Sequence, residues 1–194
     1  MKKIKLLFIL APLSVTACTS TVDLHPSAMS AGDVMANRIV QTPTVYSFSS
    51  DFRDKAHVFE CGAYSYKSNF GLPVADTLKK TIEVGFAHAT EESGSVNAPY
   101  KMRLDMEDVD AQVSIMPGFW TMSYTIHVDL SGKVDVVDSS GTSVVKAEIT
   151  GSGSASATGN CTALSKAIQV ASEKAIRKMG SDFAYKVIDT NVLK

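Results

Sequence analysis

Apolar and polar residues alternate most cleanly through the centre of the chain. Trp120, Met122, Tyr124, Ile126, Val128 and Leu130 are separated by Thr121, Ser123, Thr125, His127 and Asp129, and Val134 and Val136 keep the phase beyond Gly132. Successive side chains of a strand point to opposite faces, so this pattern predicts a long strand with one dry and one wet face. Val145, Ala147 and Ile149 resume the alternation after Asp138-Ser139-Ser140-Gly141, which predicts a hairpin. Upstream, the apolar residues of Tyr100–Met106 are even-numbered and those of Val109–Ile115 odd-numbered. A one-residue slip turns every side chain over, so a bulge or a sharp bend is expected at Glu107-Asp108, and Pro117-Gly118 then predicts a turn. Spacings of three and four place Ala75, Leu78, Ile82, Phe86 and Ala89 on one face of a helix over Leu72–Ala89, with Pro73 in its first turn. Leu164, Ala167, Ile168, Ala171, Ala175, Met179, Phe183 and Val187 form the stripe of a longer C-terminal helix, with Asn160 as its N-cap. His57–Cys61 reads as a strand running on towards Tyr66.

The order β-α-β-β-β-α predicts an α+β fold, a two-layer sandwich in which two helices cover one face of an antiparallel sheet of about four strands. Thr150–Ser156 contains only small residues. It suits either a flexible loop or a strand end on which a helix backbone lies close, and the second is favoured.

Ahead of these elements the chain changes character. Lys2, Lys3 and Lys5 precede the apolar run Leu6–Leu13. That run falls well short of the roughly 20 residues that span a bilayer, and residues 1–17 read as a signal peptide. Val15-Thr16-Ala17-Cys18 resembles the lipobox of bacterial lipoproteins. The resemblance implies a diacylglycerol on the sulfur of Cys18, cleavage before it and acylation of the new amine. Two or three acyl chains hold a protein at a membrane with very slow release, where one holds it only marginally. Thr19 and Ser20 follow instead of Asp, which in lipoproteins as a class favours the outer membrane over the inner one, with the protein on the periplasmic side. Residues 18–55, rich in Ser, Thr, Ala and Pro, read as a lipidated N-terminus and tether with a short helix near Ala31–Arg38 and an extended piece at Val45–Phe48. Residues 56–194 read as one folded domain of about 140 residues.

Charge and cysteine use narrow the function. The leader carries three lysines and no acid, so its removal moves the net charge from −1 to −4. A mildly acidic surface offers nothing to nucleic acid. Cys61 and Cys161 remain once Cys18 is consumed by lipid; in an oxidising compartment they read as a disulfide, with two separate buried thiols as the alternative.

The order of elements is similar to that of the YajG-type lipoproteins and, more distantly, of the lipoprotein that assists lipopolysaccharide insertion. The matching features are the lipobox cysteine with Thr21–Pro26 behind it, a helix at Val74–Phe86, the broken strand Tyr100–Ile115, the strand through Tyr124–Ile126, the hairpin at Gly141, small residues up to Asn160, and a last helix through Ala163-Leu164 and Ala167-Ile168. The resemblance implies the same address and fold; the two later cysteines depart from its pattern.

Nothing in the sequence assembles a catalytic site. There is no Gly-x-Ser-x-Gly elbow and no phosphate-cradling glycine loop, and His25, His57, His88 and His127 share no metal-ligand spacing, so no catalytic residue, metal or cofactor is expected. The acidic run Asp105, Glu107, Asp108, Asp110 lacks the spacing of a calcium loop and suits a solvated strand edge. Met116, Phe119 and Trp120 flank a turn where polar residues are usual; they either form an exposed interface or fold over the core. The expectation is a non-enzymatic accessory lipoprotein, held to the membrane by its N-terminal lipid, that docks onto an envelope or outer-membrane protein complex. The rival is a carrier or sensor holding a lipid or glycolipid between sheet and helices.

Overall fold

The computed structural model describes residues 18–25, 39–93, 98–118, 121–190 and 192–193. Three long strands dominate it: β6 (Tyr100–Pro117), β7 (Met122–Asp138) and β8 (Ser143–Gly159), each antiparallel to the next. Before them come β1 (Cys18–Val22), β2 (Thr44–Phe48), β3 (Ala56–Cys61), β4 (Tyr64–Asn69), helix α1 (Gly71–Gly85) and β5 (Ala89–Glu91); helix α2 (Cys161–Phe183) follows and runs on into a π-helical turn, Ala184–Ile188. The fold is α+β, with two helices packed on a multi-stranded sheet.

The sheet differs in detail from the four antiparallel strands expected. It has five strands in the order β5-β2-β6-β7-β8, and β2 pairs parallel with both neighbours. The extended piece expected at Val45–Phe48 is the strand Thr44–Phe48, wedged between two others, and it buries Thr44, Val45 and Tyr46. The expected strand through Tyr66 is a hairpin, β3 and β4, turned at Gly62 with φ +61; glycine reaches that left-handed region without steric cost. With β1 it forms a second, three-stranded sheet of order β1-β4-β3. Residues 18–25 and 39–55 are therefore built into the fold instead of forming a tether. The leader and the helix expected near Ala31–Arg38 lie outside the described residues.

Other expectations meet the structure directly. The phase slip is a register shift between Met106 and Asp108. All eight residues of the C-terminal stripe are buried. The side chain of Asn160 accepts a hydrogen bond from the Thr162 amide at 3.1 Å, which satisfies one of the donors left open at a helix start. α1 ends at Gly85, four residues early, and Ala89 instead opens β5 opposite Thr44. The small residues of β8 let α2 approach closely: an added Cβ on Gly151 would stand 2.1 Å from the Ala175 carbonyl oxygen, and one on Gly153 2.0 Å from that of Ala171. Leu78 and Ile82 of α1, Met102, Leu104, Ile126 and Val128 of the sheet, and Ile168 and Ile176 of α2 share one core.

Candidate interaction surfaces

Cys61 and Cys161 form a disulfide with Cα atoms 5.9 Å apart. It ties the end of β3 to the first residue of α2, and the Tyr124 hydroxyl of β7 lies 3.7 Å from the Cys61 sulfur while donating to Met122 Sδ at 3.4 Å. Cys18 opens β1, where its backbone lies opposite Tyr64, and Tyr64 in turn pairs with Cys61. At the same end, Pro117 pairs with Met122 and Met122 with Gly159, two residues before Cys161. The end is apolar and open: Met116 is 65 % exposed, Met122 49 % and Ile115 47 %. Met122, expected on the dry face, lies beyond the cover of α2. Of the candidate interface residues, Met116 is thus a surface residue, and Phe119 and Trp120 lie outside the described residues. A groove of about 430 Å³ between the β6–β7 turn and the start of α2 is lined by Pro117, Thr121, Met122, Tyr124, Asn160 and Cys161.

A second surface is the sheet face turned away from the helices. After the bulge it carries Asp110, Gln112, Ser114 and Met116 of β6, opposite Asp129, His127, Thr125 and Ser123 of β7, which stand opposite Ser152, Ser154, Ser156 and Thr158 of β8. Cross-strand hydroxyls approach each other at 3.3 Å in the pairs Ser123–Thr158 and Thr125–Ser156. Towards the other end the same face is charged, with Arg103, Asp135 and Lys146 in one row. Along the outer backbone edge of β8, α2 and the π-helical turn after it take up several groups: Lys186 and Lys174 donate to the carbonyls of Glu148 and Ser154, and Asp182 accepts from the Thr150 amide at 2.8 Å. Taking up these groups leaves fewer free for another strand.

The acidic run is dispersed by the bulge. Asp105 accepts from Ser49, Glu107 pairs with Lys133, Asp108 accepts from the Val109 amide, and Asp110 stands on the open face. Among the described residues no three His, Cys, Asp or Glu side chains gather as metal ligands. The histidines are dispersed as well. His57 packs its ring on Phe59 at 4.8 Å, and His88 and His127 are exposed. His25 lies 3.3 Å from Gln169 and 3.6 Å from Glu173 of α2, a contact that no sequence pattern announces. The Asp138 carboxylate is held below its ordinary value, first by the Ser140 hydroxyl and then by the Thr142 amide. No helix of the described residues is long and apolar enough to cross a membrane.

No protein-family model matches the chain, and no curated protein is similar to it in sequence. Neither comparison confirms the resemblance to the YajG-type lipoproteins. Among solved structures, a Xanthomonas campestris protein of family DUF330 is similar over 86 % of this chain and 91 % of its own, with 11 % identity and a TM-score of 0.44. A minor lipoprotein from Acinetobacter baumannii is similar over 77 % of this chain and 89 % of its own, with 10 % identity and a TM-score of 0.38. A Helicobacter pylori protein, provisionally described as a neuraminyllactose-binding hemagglutinin homolog, is similar over 77 % and 85 %, with 10 % identity and a TM-score of 0.43. At such identities and scores these likenesses settle neither fold nor function, which are read from the chain's own residues.

Proposed function

We propose that the chain is an outer-membrane lipoprotein, anchored through Cys18 and facing the periplasm, that docks onto an envelope protein and performs no catalysis. The lipobox Val15–Cys18 supports the address, and the resemblance of the sequence to the YajG-type lipoproteins agrees with it.

The observation that carries the docking role is the open face of β6, β7 and β8. Ser114, Thr125, Ser154 and Ser156, flanked by Gln112 and His127, form a patch of mostly short polar side chains on which no other element of the described residues packs. Short side chains lose little rotamer freedom when a partner covers them, so their donors and acceptors are recruited at low entropic cost. The carrier reading has weaker support. It needs room for an apolar molecule between sheet and helices, and at Gly151 and Gly153 the α2 backbone leaves no space even for a methyl group.

Photocrosslinkers at Gln112, Thr125 and Ser154 of the full chain, in intact cells, test the role. The same envelope protein is expected from all three positions and not from Lys166 on α2. Capture of no protein from the face, together with lipid or glycolipid retained by the purified protein, would replace docking with carriage.

A further inference from the structure

We infer that the chain pairs with a second copy of itself along the outer edge of β6, residues 108–116, so that two five-stranded sheets join into one. The inference goes beyond the docking role and does not depend on lipid at Cys18.

β2 covers the outer edge of β6 only from Tyr100 to Leu104, where the Ser49 amide adds a last bond to the Leu104 carbonyl. Beyond the bulge no strand of the described residues pairs with that edge, although β7 pairs with the inner one as far as Pro117. Two hydrogen bonds fix which groups are open. The Gly118 amide donates to the Thr121 carbonyl, just before β7, and the Val109 amide donates to the Asp108 carboxylate. Hydrogen-bonding sides alternate along an antiparallel strand, so Val109, Ala111, Val113 and Ile115 turn their backbone groups outward. Pro117 falls in the same series, where its missing N–H breaks no bond to β7. Asp110 is the only charged residue from 109 to 117, whereas solitary edges are usually guarded by charges, by bulges or by a covering element. β8, at the end of the same sheet, is guarded by Lys174, Asp182 and Lys186.

The edge is complementary to itself. The Glu107 carbonyl already accepts from Lys55 at 3.1 Å, so the open stretch runs from Val109 to Ile115 and is centred on Gln112. With a two-fold axis at Gln112 every outward residue meets another: Val109 of one copy pairs with Ile115 of the other, and Ala111 with Val113. Shifting the axis by one residue sets Ile115 opposite Glu107, or Val109 opposite Pro117, and loses bonds at the ends. The side chains agree with this register. On the helix side it makes the apolar pairs Val109–Ile115 and Ala111–Val113, and Ile115, 47 % exposed in the single copy, gains cover. On the open face Gln112 meets Gln112, Asp110 meets Ser114 and Asp108 meets Met116, so no like charges stand opposite one another. The paired stretch is about 30 Å long. The axis is perpendicular to the sheet, so the helices of both copies lie on one side and the two open faces make one surface on the other. Gln112 then stands at the seam, within reach both of the second copy and of a partner lying on the joined face.

Cysteine bridging in intact cells tests the pairing and its register. At the axis the two Gln112 residues form a non-hydrogen-bonded pair with Cα atoms about 4.5 Å apart, a distance that a disulfide spans. The full chain with Gln112→Cys is expected to run at twice its mass in non-reducing electrophoresis, to return to single mass on reduction, and to yield the bridged peptide in mass spectrometry. Ser114→Cys, equally exposed on the same face, lies about 13 Å along the strands from its own counterpart and is expected to give no such band. Asp110→Cys and Ser114→Cys chains with different tags, produced together, should bridge to each other. Val113→Pro in the Gln112→Cys background removes an outward amide that β7 does not use, and should abolish the bridge with circular dichroism unchanged. Ile115→Lys, at an exposed position, should do the same if the proline disturbs the strand. Absence of the bridge at Gln112→Cys, or equal bridging at Gln112→Cys and Ser114→Cys, would overturn the pairing and leave the docking role standing.

Discussion

At Gly151 a methyl group would stand 2.1 Å from the Ala175 carbonyl oxygen and 2.7 Å from the Met179 Cβ, contacts that only a shift of the α2 backbone could relieve. Gly151→Ala is therefore expected to destabilise the protein by about 1–3 kcal/mol in urea unfolding, the usual range for overpacking, while Ser152→Ala next to it, on the exposed face, stays within about 0.5 kcal/mol. The composition of Thr150–Ser156 made close helix approach readable, but which glycines meet α2 depends on register, which composition does not carry. Asp138 supplies a pH test. Its Oδ1 accepts from the Ser140 hydroxyl at 2.6 Å, the Ser140 amide at 2.8 Å and the Thr142 amide at 3.0 Å. Because its carboxyl is held below the ordinary 3.8, its contribution is fully present above that value and is lost as the pH falls through the folded one. The advantage of the native chain over Asp138→Asn should accordingly be constant near neutrality and shrink below pH 3.8 in a series of thermal melts.

Elements whose faces are set by burial were legible. The β7 alternation from Tyr124 on, the slip before Asp108 and the α2 stripe each follow from one dry side, and each is found where the residues place it. The missed elements are those whose pairing is set by the rest of the fold. β1 (Cys-Thr-Ser-Thr-Val) and β4 (Tyr-Ser-Tyr-Lys-Ser-Asn) have no strong alternation; β2 is expected as an extended piece at Val45–Phe48, but its parallel pairing with a strand more than fifty residues away has no local signal. The small sheet β1-β4-β3 is joined to α2 by the disulfide. In the chain-entropy account, closing a loop of about 100 residues removes up to about 4–5 kcal/mol of denatured-state freedom. Cys61→Ser with Cys161→Ser, or reduction of the native chain, should lower unfolding stability by about 2–5 kcal/mol, measured by denaturant titration with and without reductant. An unchanged midpoint would mean that the bridge adds nothing.

Across the whole molecule the candidate surfaces differ in how far the sequence revealed them. The wet face of β7 could be read from its alternation, whereas the meeting of Cys18, Tyr64, Met122 and Cys161 at one end could not, because strand pairing and a disulfide join segments up to 143 residues apart. The docking role depends on one covalent event, attachment of lipid at Cys18. Labelled palmitate fed to cells producing the native chain, with mass analysis of its mature N-terminus, tests that event directly. Label is expected in the native protein and none in Cys18→Ser, with a mature chain that begins at an acylated Cys18. An unlabelled native protein, or a mature chain starting at another residue, would contradict it.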